Sequence, residues 1–199
     1  MNYNCNTRVA AEFYRRDYWA ESEVNVEVWL EKDALASVLE PVVVEECGLD
    51  LHVTRGYASV SYLESAAGFI RRNGRPTHVY LLTDFDPSRL SIAETVTAEL
   101  IRRSYPTEVN VERLAVDREQ IDAHRLPTRP TKTTDSRARK FMQRHGTGSV
   151  ELDAIPPAIL RSLVRDSIER HMDPDRLRVL KLAEEEERDV LRSVWGGAP

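Results

Sequence analysis

The sequence predicts an α/β domain: a parallel sheet of about four strands with helices on both faces, followed by a C-terminal helical extension. Three observations predict it. Apolar, β-branched runs of strand length alternate with longer segments of helical periodicity. The connections between them are short, as in chains where successive strands return parallel to one another through helices. Apolar residues make up 41% of the 199 residues, enough for a buried core.

The elements follow in order. Residues 1–23 are polar, aromatic and charged, and read as an arm or short helix. "VNVEVWL" (24–30) alternates and is the first strand. In "DALASVLEPVVVEECG", Ala34, Leu35, Val38, Leu39, Val42 and Val43 form one helical stripe that Gly48 ends, with Pro41 predicting a kink or break. "LDLHVT" (49–54) is the second strand, followed by a turn at Arg55-Gly56. Ser59 is placed to cap "VSYLESAAGFIRR", which stops at Asn73-Gly74. "THVYLLT" (77–83) is the third strand. A helix over 87–104 with Ile92, Val96 and Leu100 on one face follows, then "EVNVERLAV" (108–116) as the fourth strand.

Beyond 124 the composition changes. Residues 125–144 hold seven Arg or Lys and one Asp, a local charge of +6 in a chain whose net charge is −5. Two prolines and four threonines predict a loop at its start and "SRARKFMQRH" a helix. A helix from about Pro157 carries Ile159, Leu160, Leu163, Val164 and Ile168 as its stripe. Asp173-Pro174 then reads as N-cap and first residue of a last helix, which runs to about Trp195 with a solvated acidic run at Glu184 to Glu187. The domain reading is 1–23 as N-terminal arm, 24–124 as α/β domain, and 125–199 as basic loop and C-terminal helices.

Composition excludes some classes. No apolar run approaches the roughly 18 residues of a membrane span, so no membrane partner is expected. The N-terminal stretch lacks the apolar core of a signal peptide. Cys5 and Cys47 have no metal-type spacing and read as free thiols of a cytoplasmic protein. The five histidines share no ligand spacing.

The chemistry concentrates after the strands. In a parallel sheet, ligands bind outside the carboxyl ends of the strands. Glu31, the Arg55-Gly56 turn, and Asp84 with Asp86 therefore share one edge. Asp86 before Pro87 is also a natural helix cap, which leaves Asp84 unexplained. Three carboxylates at one edge suit a hard cation such as Mg²⁺ or Mn²⁺, bound with substrate phosphate. The i, i+2 spacing of Asp84 and Asp86 points both the same way, and Phe85 between them turns to the core. Lys32 either reaches a phosphate or is solvated, and Asp117, Glu119 and Asp122 form a polar loop or supply a fourth carboxylate. Basic residues of 125–144 read as contacts to backbone phosphates of DNA or RNA.

"VWLEKDAL", "VTRGYAS" and "LLTDFDPSRLSI" in this order resemble the Toprim (Rossmann-like) domain. They look most like that of the topoisomerase VI A subunit and its meiotic double-strand-break relatives, over roughly 24–116. The resemblance implies Glu31 as general acid/base or metal ligand, Asp84 and Asp86 as Mg²⁺ ligands, and Gly56 as keeping a tight turn. It implies a nuclease or topoisomerase-related hydrolase acting on nucleic-acid phosphodiesters. Lys32, Arg55, Arg89, Arg129, Lys132, Arg137, Arg139 and Lys140 are then expected at the nucleic acid. Two departures stand out. Arg89 occupies a position where the family has Gly. The tyrosine that cuts DNA in topoisomerase VI-like enzymes belongs to a preceding domain, and about two dozen residues, with Tyr3, Tyr14 and Tyr18, precede the first strand here. A protein partner or homodimer is expected to supply that chemistry, or else the scaffold is a non-catalytic binding module. "VYLLTDFDPS" also resembles the nucleophile strand of haloacid dehalogenase-type phosphatases. That family places the strand first, however, and needs a downstream lysine, for which Lys132 is poorly placed.

Overall fold

In a computed structural model of the chain, residues 12–54, 59–132 and 134–196 are described. The turn at Arg55 and Gly56, as well as Tyr3 and Cys5, lie outside them. Two compact units form: Glu23–Ile168, and one from the chain's two ends, up to Ser22 and from Glu169.

The larger unit is a Rossmann-like α/β fold. Four strands, β1 (Asn25–Leu30), β2 (Leu51–Val53), β3 (Thr77–Leu82) and β4 (Val109–Ala115), pair in the order β2-β1-β3-β4. Every pairing is parallel, with Val28 opposite Tyr80 and Leu30 opposite Leu82 across the centre. The chain moves to one side of β1 for β2 and to the other side for β3. The crevice at the carboxyl ends of β1 and β3 is thus the switch point of the sheet, where open α/β folds bind ligands.

Both central strands are buried along almost their whole length, as parallel strands covered on two faces must be. On one face Trp29, Val79 and Leu81 pack with Leu63, Ala67 and Ile70 of α2 (Val60–Asn73) and with Val96 and Leu100 of α3 (Pro87–Ser104). The residues of opposite parity, Val28, Leu30, Tyr80 and Leu82, are equally buried on the other face. Glu27 is buried on the Trp29 side and accepts a 2.8 Å bond from the indole Nε1. Burial, reinforced by Glu27, pushes the Tyr62 phenol up to about 12.

The helix after β1 (α1) breaks as Pro41 dictates. A 3₁₀ turn (Asp33–Leu35) and an α-turn (Ala36–Glu40) give way to a wider π-type turn over Pro41–Glu46. Proline offers no N–H to the preceding turn, and the Cys47 N–H instead reaches back five residues to Val42. Ser59 caps α2 through the Tyr62 N–H, and Gly74 ends it at φ 74°. The Cys47 side chain is buried.

After β4 the structure departs from expectation. The acids after β4 belong to a short helix, α4 (Arg118–His124), rather than a polar loop. Asp117 and Gln120 form a capping box there, and Asp122 pairs with Arg118. The basic stretch opens as a strand, β5 (Arg129–Pro130), paired antiparallel with β6 (Gly148–Ser149). Between them lies α5 (Ala138–His145). A helix over Pro157–Glu169 (α6) buries Leu160, Val164 and Ile168 as its stripe predicts.

In the terminal unit, Asp173 caps the last helix (α7, Pro174–Gly196) through the Asp175 N–H. The acidic run is not wholly solvated, because the N-terminal segment uses it. Glu184 is buried, accepts the Arg16 N–H at 2.7 Å and pairs with Arg188. Tyr14 donates its hydroxyl to Glu187 at 2.7 Å. Burial and a bond to Glu184 push the Tyr18 phenol up to about 12. Among the described residues no helix is long and apolar enough to cross a membrane.

Leu100 is fully buried between α3 and the sheet. Leu100→Ala is expected to lower stability by about 2–5 kcal/mol through lost contacts and a residual cavity. Denaturant unfolding checks this through a lower midpoint at unchanged slope.

Candidate functional site

The end of β3 is held from two sides. Thr83 continues the ladder to β4, donating to Ala115 and accepting from Val116. Phe85 then leaves the sheet and forms an antiparallel bridge with Val150, with bonds of 2.7 and 3.0 Å. Its ring is 1% exposed and packs edge-on against Phe141, so it turns into the core as the sequence predicts. Because Phe85 points inward, its two neighbours point the other way, into a cleft of about 680 Å³.

Asp84 and Asp86 both line that cleft, together with Arg89, Arg129, Lys132 and Glu151. Asp84 accepts the Leu152 N–H at 2.7 Å. Asp86 caps α3, accepting the Arg89 N–H at 2.8 Å with Pro87 at the first helical position. A carboxylate accepts at about four lone-pair positions. One backbone bond each therefore leaves both acids able to take a cation or a further donor.

Glu31 follows β1, its N–H completing the ladder to Leu82. Its side chain is 11% exposed and receives Arg89 Nε at 2.8 Å. Burial pushes the Glu31 carboxyl up to about 7. Arg89 opposes that rise, and the nearby charges of Asp84 and Asp86 add to it. Glu31 thus feels both aspartates, as a shared sheet edge predicts. Among the described residues, no three such groups already stand in a metal-ligating arrangement. The donor set is nevertheless all carboxylate oxygen, the chemistry of Mg²⁺ and Mn²⁺.

The basic candidates divide. Lys32 is not simply solvated: its Nζ lies 2.5 Å from Asp153 and 3.2 Å from Glu151. Burial would lower its ammonium, but the bonds to Asp153 and Glu151 outweigh that and hold it above its ordinary value. Arg129 pairs with Glu151 at the cleft wall, and Lys132 is exposed there. Arg137 donates to Ser88 Oγ at 3.3 Å, beside the cleft. Arg139 and Lys140 lie on α5 and line no part of this cleft. Arg55 is outside the described residues.

Sequence reasoning missed Glu151 and the β5–β6 ribbon that carries it to the site. The local signal was faint: Val150 and Leu152 alternate with Glu151 and Asp153 after Gly148.

No protein-family model matches the chain, and no curated protein matches it at a significant level.

The Glu31 environment has a consequence for stability. Its carboxyl is raised in the folded state from an ordinary value of 4.5 to about 7, so the fold binds that proton more tightly than the unfolded chain. The associated stabilisation is complete below about 4.5 and is lost as pH rises through about 7. Glu31→Gln is expected to remove this dependence. Urea unfolding of both proteins between pH 4.5 and 8 checks it, the difference between them shifting across that window.

Proposed function

We propose that this protein is a divalent-metal-dependent, Toprim-type enzyme acting on nucleic-acid phosphodiesters by hydrolysis. The observation that supports it most is the cleft itself. Its floor carries Asp84 and Asp86 at the sheet's switch point, and its walls carry Arg89, Arg129 and Lys132. Anionic oxygens for a cation stand beside cations for a phosphate, and a metal-bound phosphodiester needs both.

Asp84 and Asp86 would hold the Mg²⁺ or Mn²⁺, and Glu31 would either complete that set or serve as general acid or base. Such an ion neutralises phosphate charge and activates or orients the attacking oxygen. The chain's own residues do the rest. Glu31, raised to about 7, is able to gain or lose a proton near neutrality and so suits a general acid or base. Arg129 and Lys132 hold the phosphate against the ribbon side of the cleft. The Asp86 cap fixes the first turn of α3 and with it the position of Arg89. A tyrosine nucleophile is not required for hydrolysis. Tyr14 and Tyr18 have structural bonds to Glu187 and Glu184.

A second reading, a non-catalytic nucleic-acid module, draws on the Glu31–Arg89 pair and on the capping role of Asp86, which give both acids structural work.

Nicking of supercoiled DNA with Mg²⁺ or Mn²⁺ separates the two. The wild type is expected to nick, and Asp84→Asn to be at least about 100-fold slower with its thermal midpoint little changed, in line with the loss of a group acting at the transition state. Equal rates in wild type and variant contradict the enzyme. Salt-sensitive DNA binding with no cutting in either supports the binding module.

A further inference from the structure

A second, smaller groove of about 280 Å³ lies beside the acid-lined cleft, between α3 and α5. Pro87 lines both. The two also meet along 134–137, where Thr134 and Asp135 belong to the cleft and Ser136 and Arg137 to the groove. Arg137 spans the junction through its bond to Ser88.

The α5 wall is cationic. Arg137, Lys140 and Arg144 recur at i, i+3 and i+7, so they share one face of that helix, and all three are exposed. Glu94 is the acid that faces them. Elsewhere in this unit many cations are neutralised internally: Arg103 by Glu64 and Glu99, Arg118 by Asp122, Arg165 by Glu46. Lys140 and Arg144 form no ion pair among the described residues. A chain of net charge −5 thus leaves unneutralised cations together on one wall next to its candidate site.

The groove's rings are already engaged. Phe141 is 5% exposed, and the His145 ring sits 5.4 Å from Phe85 and 5.1 Å from Phe141. Single-strand binders add aromatic platforms on which bases stack. This groove offers charge without a free platform, which suits phosphates whose bases are already stacked within a duplex.

We propose that the α3–α5 groove is a docking track for the phosphate backbone of double-stranded nucleic acid, flanking a phosphodiester placed in the adjacent cleft. The placement of that phosphodiester rests on the function proposed above. From Arg137 to Arg144 the helix rises about 10.5 Å. That spans about three nucleotides of one strand at about 3.4 Å each. Contacts of this kind are sequence-independent.

The test is fluorescence anisotropy of a labelled 20-base-pair duplex in EDTA, with the full chain. Lys140→Ala/Arg144→Ala is expected to bind about tenfold or more weakly. Its slope of log K against log salt is expected to fall by about 1.8, from roughly 0.9 per lost phosphate contact. Arg72→Ala, at an exposed position of α2 that lines neither the cleft nor the groove, is expected to bind as wild type does. Unchanged affinity and slope in the double variant overturn the proposal, as does equal weakening by Arg72→Ala. Tighter binding of the single strand, or of an acidic peptide, overturns the assignment to a duplex. Hydrolysis of bis-p-nitrophenyl phosphate with Mn²⁺ reads the cleft separately. It is expected to survive in the double variant and to be lost in Asp84→Asn. Its absence in wild type overturns the cleft's activity, while the anisotropy still decides the groove.

Discussion

The site depends on one clamp. Where β3 ends, Phe85 and Val150 exchange backbone hydrogen bonds, and Asp84 accepts the Leu152 N–H two residues further on. These bonds attach the segment after β6 to the carboxyl end of a central strand. They bring Glu151 and Arg129 opposite Asp84 and Asp86, and so give the sheet edge a second wall. Without that clamp the aspartates would sit on an open edge, and a phosphate there would be screened by water. A walled cleft lowers the local dielectric and makes each charge count for more.

The clamp also sets an electrostatic problem. Asp84, Asp86 and Glu31 crowd one edge, and their mutual repulsion joins burial in raising Glu31. Arg89, in the first turn of α3, answers part of it by pairing with Glu31. Its backbone N–H is meanwhile held by Asp86, so a single residue ties the strand-one acid to the strand-three acids. A glycine at this position would leave Glu31 without that partner. Arg89 is therefore built into the charge balance of the edge.

Much of the fold was legible because its signals are local. Ser59, Gly74, Asp86-Pro87 and Asp173-Pro174 mark helix ends by capping chemistry, and the structure places the ends there. The parallel direction of the strands followed from short connections through helices. That Glu31 shares one edge with Asp84 and Asp86 followed from strand direction, and the pairing of β1 with β3 makes them neighbours. What escaped the sequence is long-range. The two-residue strands β5 and β6 have too little pattern to announce themselves, and the partners of Lys32 lie 119 and 121 residues away in Glu151 and Asp153. Glu184 reads as one acid of a solvated run, yet the chain's other end buries it against the Arg16 N–H. Such pairings depend on which segments meet, and no period in the sequence encodes that.

The most direct test of the central claim, a cation site at this edge, is calorimetric titration of Mn²⁺ into wild type and Asp84→Asn, each with and without a duplex oligonucleotide. The account predicts one site of millimolar or tighter affinity in wild type, weakened at least about tenfold in the variant, since a carboxylate ligand is lost. Identical heats in the two proteins, or no binding to wild type even with the duplex present, would contradict it and leave Asp84 and Asp86 as a clamp and a helix cap.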